Sequence, residues 1–164
     1  MDLHINGIAV NPSEVIQKQY IGYLPQHPFL PKDAKVRDLI PIYHSSQEKQ
    51  DAVFYNSHVA KITARRVGDL SQGERKYFEV VLLGNLEHPF LMLDEPFSML
   101  EPLQIEAVKE FLLQLKKTKG LIITDHYYND VLDITTQNIV IKEGKTITVD
   151  GTEGLRKFEY LRKN

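Results

Sequence analysis

The sequence contains no cysteine, so neither a disulfide nor a thiolate metal site can form within it. It also has no apolar run close to the roughly 20 residues that a membrane-spanning helix needs. A net charge of −2 gives no strong positive field that would attract nucleic acid or an anionic membrane. No basic segment followed by an apolar one comes after Met1, so no signal peptide is expected. These absences favour a globular protein that binds no nucleic acid, does not insert into a membrane, and reaches one only through a partner.

Short apolar segments alternate with helical patterns along the 164 residues, a length that suits one domain. Apolar strands are expected at residues 20–24, 90–93 and 121–123, and helices at residues 71–86 and 103–115. Continuous apolar strands separated by helices are typical of a parallel sheet that helices cover on both faces. The predicted fold class is therefore α/β.

Two hairpins are expected near the ends of the chain. Asn6 and Gly7 form the turn of the first, within residues 3–10. Residues 138–149 form the second, which is expected to complete the sheet before a charged C-terminal helix. Its Gly144-Lys145-Thr146 imitates the end of a phosphate loop, but Ile139 stands where that loop requires glycine, so a hairpin turn is predicted. No G-x-x-x-x-G-K-[ST] motif occurs anywhere in the sequence.

Two acidic residues, Asp94 and Glu95, follow the apolar strand at residues 90–93. In open α/β sheets, ligands bind beyond the carboxyl ends of the strands. Mg²⁺ is usually held by one or two carboxylates together with phosphates, a role that suits Asp94. A neighbouring carboxylate such as Glu95 can act as a general base towards water. The alternative is that both acids end the strand and stay solvated.

Residues 70–74, Leu-Ser-Gln-Gly-Glu, begin the helix that follows. Ser71 can cap this helix, with Glu74 three residues later completing a capping box. The free N–H groups and the positive end of the same helix can also bind an anion. The two functions are compatible, and the sequence leaves both open.

Five segments lie in the order in which ATP-binding cassette (ABC) ATPases carry their motifs. The first segment is residues 23–26, where Gln26 closes a strand, and residues 70–74, 94–96, 98–102 and 122–126 follow it. They resemble, in turn, the Q-loop, signature motif, Walker B motif, D-loop and switch region of that family. The similarity is strongest to the ATPases of lipopolysaccharide export and branched-chain amino-acid import. Three positions depart from the common pattern, namely Gln72, Glu74 and Glu101, which replace glycine, glutamine and aspartate.

The resemblance implies that ATP and Mg²⁺ are the cofactors. It makes Glu95 the residue that activates water, and Gln26 and His126 the residues that sense the γ-phosphate. Asp94, with Gln26, would act on the Mg²⁺ that accompanies ATP. The helix start would bind the ATP of a second subunit in trans through four residues, Ser71, Gln72, Gly73 and Glu74.

The resemblance also implies partners and a location. A second ABC ATPase subunit would complete a homo- or heterodimer, and a transmembrane permease would hold the dimer at the cytoplasmic face of the membrane. Residues 1–164 would form one nucleotide-binding domain with a helical subdomain at residues 27–87. In that subdomain, Phe29, Leu30 and Ile42 would contact the permease or, equally, fill the subdomain's own core.

The missing phosphate loop limits what the chain does alone. Backbone N–H groups and a lysine of that loop hold the β- and γ-phosphates in P-loop enzymes. We therefore expect a domain that is truncated at its N-terminus and is inactive by itself. The alternatives are a non-catalytic partner that lends its signature motif to another ATPase, and a soluble ABC ATPase of DNA repair or translation.

Overall fold

The computed structural model describes residues 3–157. Met1, Asp2 and the end of the predicted C-terminal helix, residues 158–164, lie outside the described residues. The chain divides into two compact units, Met1–His126 and Tyr127–Asn164. The strands are β1 (Leu3–Ile5), β2 (Ile8–Val10), β3 (Ile21–Leu24), β4 (Phe90–Asp94), β5 (Gly120–Thr124), β6 (Asn138–Lys142) and β7 (Lys145–Val149). The helices are α1 (Val36–Tyr43), α2 (Gln47–Phe54), α3 (Gln72–Gly84), α4 (Pro102–Leu115), α5 (Tyr128–Ile134) and α6 (Gly151–Lys157).

The first unit is built on a parallel sheet of three strands in the order β3-β4-β5. The register places Leu24 beside Leu93, and Leu93 beside Ile123. Parallel strands end at the same edge of a sheet, so the residues that follow them come together there. The predicted α/β class, with a parallel sheet and helices, is confirmed.

The two faces of this sheet differ in burial. On one face Leu24, Leu91 and Leu93 are almost fully buried. On the other, three register neighbours, Tyr23, Met92 and Ile122, are 54%, 38% and 55% exposed. The sequence predicts burial on both faces because every one of these positions is apolar or aromatic. An uninterrupted apolar strand hides the alternation that distinguishes a buried face from an exposed one.

Helix α3 packs against β3 and α4 and is buried along most of its length. Phe78 and Leu82 have no exposed surface, and each such side chain contributes about 1.5–3 kcal/mol of hydrophobic free energy. The helix begins at the predicted place, because Ser71 is its N-cap. Among the described residues, the longest helix is α4, with 14 residues. Within residues 3–157, no helix combines the length and the apolar character that crossing a bilayer requires.

Helices α1 and α2 lie in the range predicted as a helical subdomain. Val36 and Ile40 of α1 are buried, and His44 after α1 donates a 3.0 Å hydrogen bond from Nε2 to the carbonyl of Leu82. This bond ties α1 to α3. Leu30 is buried in this region, whereas Ile42 is 74% exposed. Leu30 therefore belongs to the core.

The two predicted hairpins are present. Asn6 and Gly7 have φ values of 51° and 78°, the left-handed conformation that a tight hairpin turn requires. Glu143 and Gly144 make the same kind of turn between β6 and β7, so the predicted turn is confirmed there.

The second hairpin differs from prediction in its pairing. In the part of the chain that the structure describes, β6 and β7 pair only with each other, in an antiparallel sheet of two strands. The expectation that they complete the parallel sheet is wrong, because apolar alternation identifies a strand but not its neighbour. Val140, Val149 and Leu155 instead form a small core within the second unit.

Candidate functional site

Asp94 is the last residue of β4, and both neighbouring strands hold its carboxylate. Oδ1 accepts a 2.7 Å hydrogen bond from the Thr124 hydroxyl at the end of β5. Oδ2 accepts a 3.2 Å hydrogen bond from the Tyr23 hydroxyl of β3. The hydroxyl donors fix the orientation of the carboxylate at the sheet edge without supplying a counter-charge.

The backbone of Glu95 lies in the left-handed region, with φ at 51°. A side chain in that region costs roughly 1–2 kcal/mol, and such strain is typical of functional sites. The surrounding bonds hold Glu95 there. Its N–H donates to the carbonyl of Thr124 at 2.7 Å, and its own carbonyl accepts from the Ser98 hydroxyl at 2.9 Å.

One oxygen of the Glu95 side chain is shared by two predicted site residues. Oε1 accepts a 2.8 Å hydrogen bond from Nε2 of Gln26, and Nε2 of His126 lies 3.2 Å from the same oxygen. Glu95 is largely buried, while His126 is exposed. The structure thus brings the three residues together, each from the end of a different strand. A carboxylate fixed in this way can accept a proton from a water molecule.

The turn after Glu95 is held by the segment that carries His126. Oδ2 of Asp125 accepts a 2.9 Å hydrogen bond from the N–H of Phe97. The Phe97 side chain is fully buried. A buried anchor and a hydrogen bond across two loops therefore fix the shape of the Glu95 segment.

The start of α3 forms the predicted capping box. The Ser71 hydroxyl accepts the N–H of Glu74 at 3.1 Å, and the Glu74 carboxylate accepts the N–H of Ser71 at 2.8 Å. Nη1 of Arg65 also donates to Glu74 at 2.7 Å. Partial burial raises the pKa of Glu74, but the hydrogen bonds from Ser71 and Arg65 outweigh it and leave that pKa below its ordinary value.

Gly73 lies where a side chain does not fit. A Cβ there would be 2.7 Å from Oε1 of Gln104 and 2.8 Å from the carbonyl oxygen of Met99. Both contacts come from the segment that includes residues 98–102 and the start of α4. The glycine therefore allows the start of α3 and that segment to approach each other closely.

In residues 71–74, side-chain hydrogen bonds join Ser71 to Glu74, and Glu74 to Arg65. Within residues 3–157, no hydrogen bond or ion pair joins any of the four to Asp94 or Glu95. The in-trans role that the sequence assigns to Ser71, Gln72, Gly73 and Glu74 stays a prediction.

Sequence reasoning missed two charged residues of α3. Lys76 and Glu79 are 4% and 0% exposed. Nζ of Lys76 donates to the carbonyls of Pro25 and Gln26, at 3.3 and 3.0 Å. The sequence carries no signal for this burial, because Glu74 and Arg75 precede Lys76 and two opposite charges three residues apart are typical of a solvated helix face.

The carboxylates suit a magnesium ion only together with a phosphate ligand. Asp94 and Glu95 offer the hard oxygen atoms that Mg²⁺ prefers. The described residues contain no group of three or more histidine, aspartate or glutamate side chains that could enclose a metal. This donor set fits Mg²⁺ that shares its coordination with nucleotide phosphates.

Comparison of the sequence with known proteins identifies relatives of this chain. Residues 2–98 match the family model described as ABC transporter. The lipopolysaccharide export system ATP-binding protein LptB of Haemophilus influenzae is 26% identical over 168 residues, which cover 95% of this chain and 69% of that protein. The thiamine import ATP-binding protein ThiQ of Shigella flexneri is 31% identical over 117 residues, covering 68% of this chain and 49% of that protein.

Solved structures agree on the fold. An ATP-binding subunit of an ABC transporter superposes with a TM-score of 0.76 at 19% identity, covering 94% of this chain and 69% of the other. An RNase-L inhibitor gives a TM-score of 0.69 at 19% identity, over 85% of this chain and 30% of the other. With the family match covering more than half of its residues, the chain belongs to the ABC transporter family of ATP-binding proteins.

Proposed function

We propose that this chain is the ATP-hydrolysing subunit of an ABC transporter and works at the cytoplasmic face of a membrane. The observation that carries the proposal is the convergence of Gln26 and His126 on one oxygen of Glu95, beside Asp94. Family membership supports ATP and Mg²⁺ as cofactors in general. The strained backbone of Glu95 supports a functional role for that residue.

In the proposed mechanism, Glu95 accepts the proton of the water molecule that attacks the γ-phosphate. The Gln26 amide orients the carboxylate, and the exposed His126 would donate a hydrogen bond to the γ-phosphate. Asp94 would bind Mg²⁺, which supplies positive charge to the phosphate oxygens. The Tyr23 hydroxyl keeps the Asp94 carboxylate oriented.

Hydrolysis further needs a phosphate loop, and residues 1–164 contain no such motif. We therefore propose that this chain supplies the carboxylates Asp94 and Glu95 to one ATP site of a dimer. Its signature segment, residues 70–74, would belong to the other ATP site. Ser71 caps α3 and Gly73 lies in its first turn, where the positive helix end favours a phosphate. In a dimer, they would face the nucleotide of the second subunit.

The permease contact is proposed to lie in residues 27–87. Ile42 and Phe29 are exposed apolar residues of this region, whereas the buried Leu30 is unsuited to such contact. The two relatives carry names for different cargoes, lipopolysaccharide and thiamine. The proposal accordingly names no cargo for this chain.

The proposal is tested in a fusion protein in which a phosphate-loop-bearing N-terminal segment of an ABC ATPase precedes Met1. Changing Glu95→Gln should lower MgATP-dependent phosphate release by roughly 10²–10⁴-fold, because the general base is lost, and should spare ATP binding. Glu106→Gln, at an exposed site on α4, is the matched control and should leave the rate unchanged. Equal rates for the two variants would remove Glu95 from its role.

A second candidate is a non-catalytic partner that lends its signature segment to another ATPase. The observation in its favour is a fully formed capping box at Ser71 in a sequence without a phosphate loop. The test mixes the 164-residue chain with a full-length ABC ATPase subunit and measures association by analytical ultracentrifugation. A complex that forms with MgATP but not with MgADP supports this function, whereas no complex at millimolar ATP contradicts it.

A further inference from the structure

Helix α3 buries two opposite charges that its packing does not need. Lys76 and Glu79 lie one helical turn apart and are 4% and 0% exposed. Burying an ionised side chain is costly unless other groups compensate for its lost hydration. An apolar pair of similar size would pack at these positions without that cost. The contacts made by the two charges should therefore explain their presence.

Both charges bind one short loop. Nζ of Lys76 donates to the carbonyls of Pro25 and Gln26, at 3.3 and 3.0 Å. Oε1 of Glu79 accepts the N–H of Phe29 at 3.4 Å, and the N–H of Leu30 also reaches this carboxylate. The ammonium thus binds the first carbonyls of the loop, and the carboxylate binds N–H groups at its other end. We name residues 25–30 the clamped loop.

The electrostatics agree with the geometry. Burial lowers the pKa of Lys76 and raises the pKa of Glu79, and in each case the attraction of the other charge opposes the effect. Lys76 is also attracted by the carboxylates of Glu95, Asp125 and Asp94. Oε2 of Glu79 is buried and has no hydrogen-bond partner in the described residues. The hydrogen bonds to the clamped loop therefore replace part of the hydration that Lys76 and Glu79 lose on burial.

The clamped loop contains the residue that reaches the candidate base. The backbone carbonyl of Gln26 is bound by Lys76, while its side-chain amide donates to Glu95 at 2.8 Å. We propose that Lys76 and Glu79 are positioning residues, which hold the clamped loop so that the Gln26 amide stays on Glu95. This inference rests on the proposed function for its importance to hydrolysis, although the contact itself can be measured without nucleotide.

The test uses nuclear magnetic resonance on the 164-residue chain. The readouts are the side-chain amide signal of Gln26, identified by its loss in Gln26→Ala, and the hydrogen exchange of the Phe29 N–H. Lys76→Met should shift the Gln26 signal towards that of a free amide. It should also speed Phe29 exchange about 10-fold, the effect of losing roughly one hydrogen bond. Glu79→Gln, which keeps one acceptor oxygen, should have a smaller effect on Phe29.

Two comparisons separate positioning from general stability. In a positioning role, the amides of Val81 and Leu82 within α3 keep their slow exchange in Lys76→Met. The control is Lys18→Met, which breaks the exposed ion pair with Glu14 and should change neither readout. If Lys76→Met does not fold, the double variant with Glu79→Gln, which leaves no buried charge, replaces it with the same expected signals.

Two results would overturn the inference. One is an unchanged Gln26 signal and unchanged Phe29 exchange in a folded Lys76 variant. The other is equal acceleration of exchange in the clamped loop and in α3, which would indicate a purely structural role. Because no nucleotide is present, loss of the proposed ATPase function in the fusion protein would not change either readout. The two failures are therefore distinguishable.

Discussion

The close approach at Gly73 leads to a quantitative prediction for Gly73→Ala. The new Cβ would lie 2.7 Å from Oε1 of Gln104 and 2.8 Å from the carbonyl oxygen of Met99. The Gln104 amide can rotate only by giving up the hydrogen bond that its Oε1 accepts from Glu101 N–H at 3.0 Å. The Met99 oxygen belongs to the backbone, in a residue with φ at 64°, and moves only if its loop moves.

Two effects of opposite sign decide the magnitude. Replacing glycine by alanine within a helix is favourable by about 0.5–1 kcal/mol, because the unfolded chain has less freedom to lose. Forcing an extra methyl group into a packed site costs about 1–3 kcal/mol. Because the Met99 oxygen is a backbone atom, we expect the cost of overpacking to exceed the gain from replacing glycine. The net loss in free energy of unfolding should be about 1–2 kcal/mol.

The assay is urea unfolding of the 164-residue chain, followed by circular dichroism at 222 nm. Gly73→Ala should lower the midpoint without changing the slope against urea, which would show that only stability has changed. The matched control is Gln72→Ala, at the exposed neighbouring position, with an expected change within about 0.5 kcal/mol. A Gly73→Ala chain as stable as the wild type would refute the argument that this glycine is required for close approach.

Three further predictions concern pH and nucleotide. Burial holds the pKa of His44 below its usual 6.5, so on acidification the unfolded chain binds the proton before the folded one does. The free energy of unfolding should therefore fall as pH drops below about 6.5. In His44→Gln, the urea midpoint should depend less on pH over that range. The pKa of Glu74 is lower in the folded chain than its unfolded value near 4.5. The contribution of Glu74 to the free energy of unfolding should therefore be complete above pH 4.5 and be lost as pH falls through the pKa of the folded chain. In Glu74→Gln, the temperature of thermal unfolding should depend less on acid. The 164-residue chain should bind ATP with a Kd above about 1 mM, because a helix terminus supplies at most about 2 kcal/mol where millimolar binding needs about 4; calorimetry that gives micromolar binding would contradict this.

Much of the fold is predictable from local patterns. A helix cap and a tight hairpin turn each favour few residue types, so the local sequence identifies them. The structure has the expected helix start at Ser71 and the expected turn at Asn6 and Gly7. The convergence of Gln26 and Glu95 also follows from the sequence once both strands are taken as parallel. These features depend on short stretches of chain or on a rule of topology.

The remaining features depend on contacts between distant segments. Lys76 and Glu79 suggest a solvated helix face, and only the position of the clamped loop shows why they are buried. The exposure of Met92 depends on what covers the sheet, and the sequence of β4 carries no such information. Similarly, the clash that requires glycine at position 73 involves a loop some 25 residues further along the chain.

The central claim is that two such subunits share nucleotide between them, and self-association tests it most directly. The fusion protein carrying Glu95→Gln should bind MgATP without hydrolysing it. Its sedimentation should change from monomer in MgADP to dimer in MgATP. Ser71→Arg in the same protein should abolish the dimer, because a bulky side chain would occupy the space expected for the second subunit's phosphate. A fusion protein that binds MgATP and sediments identically in both nucleotides would contradict the account.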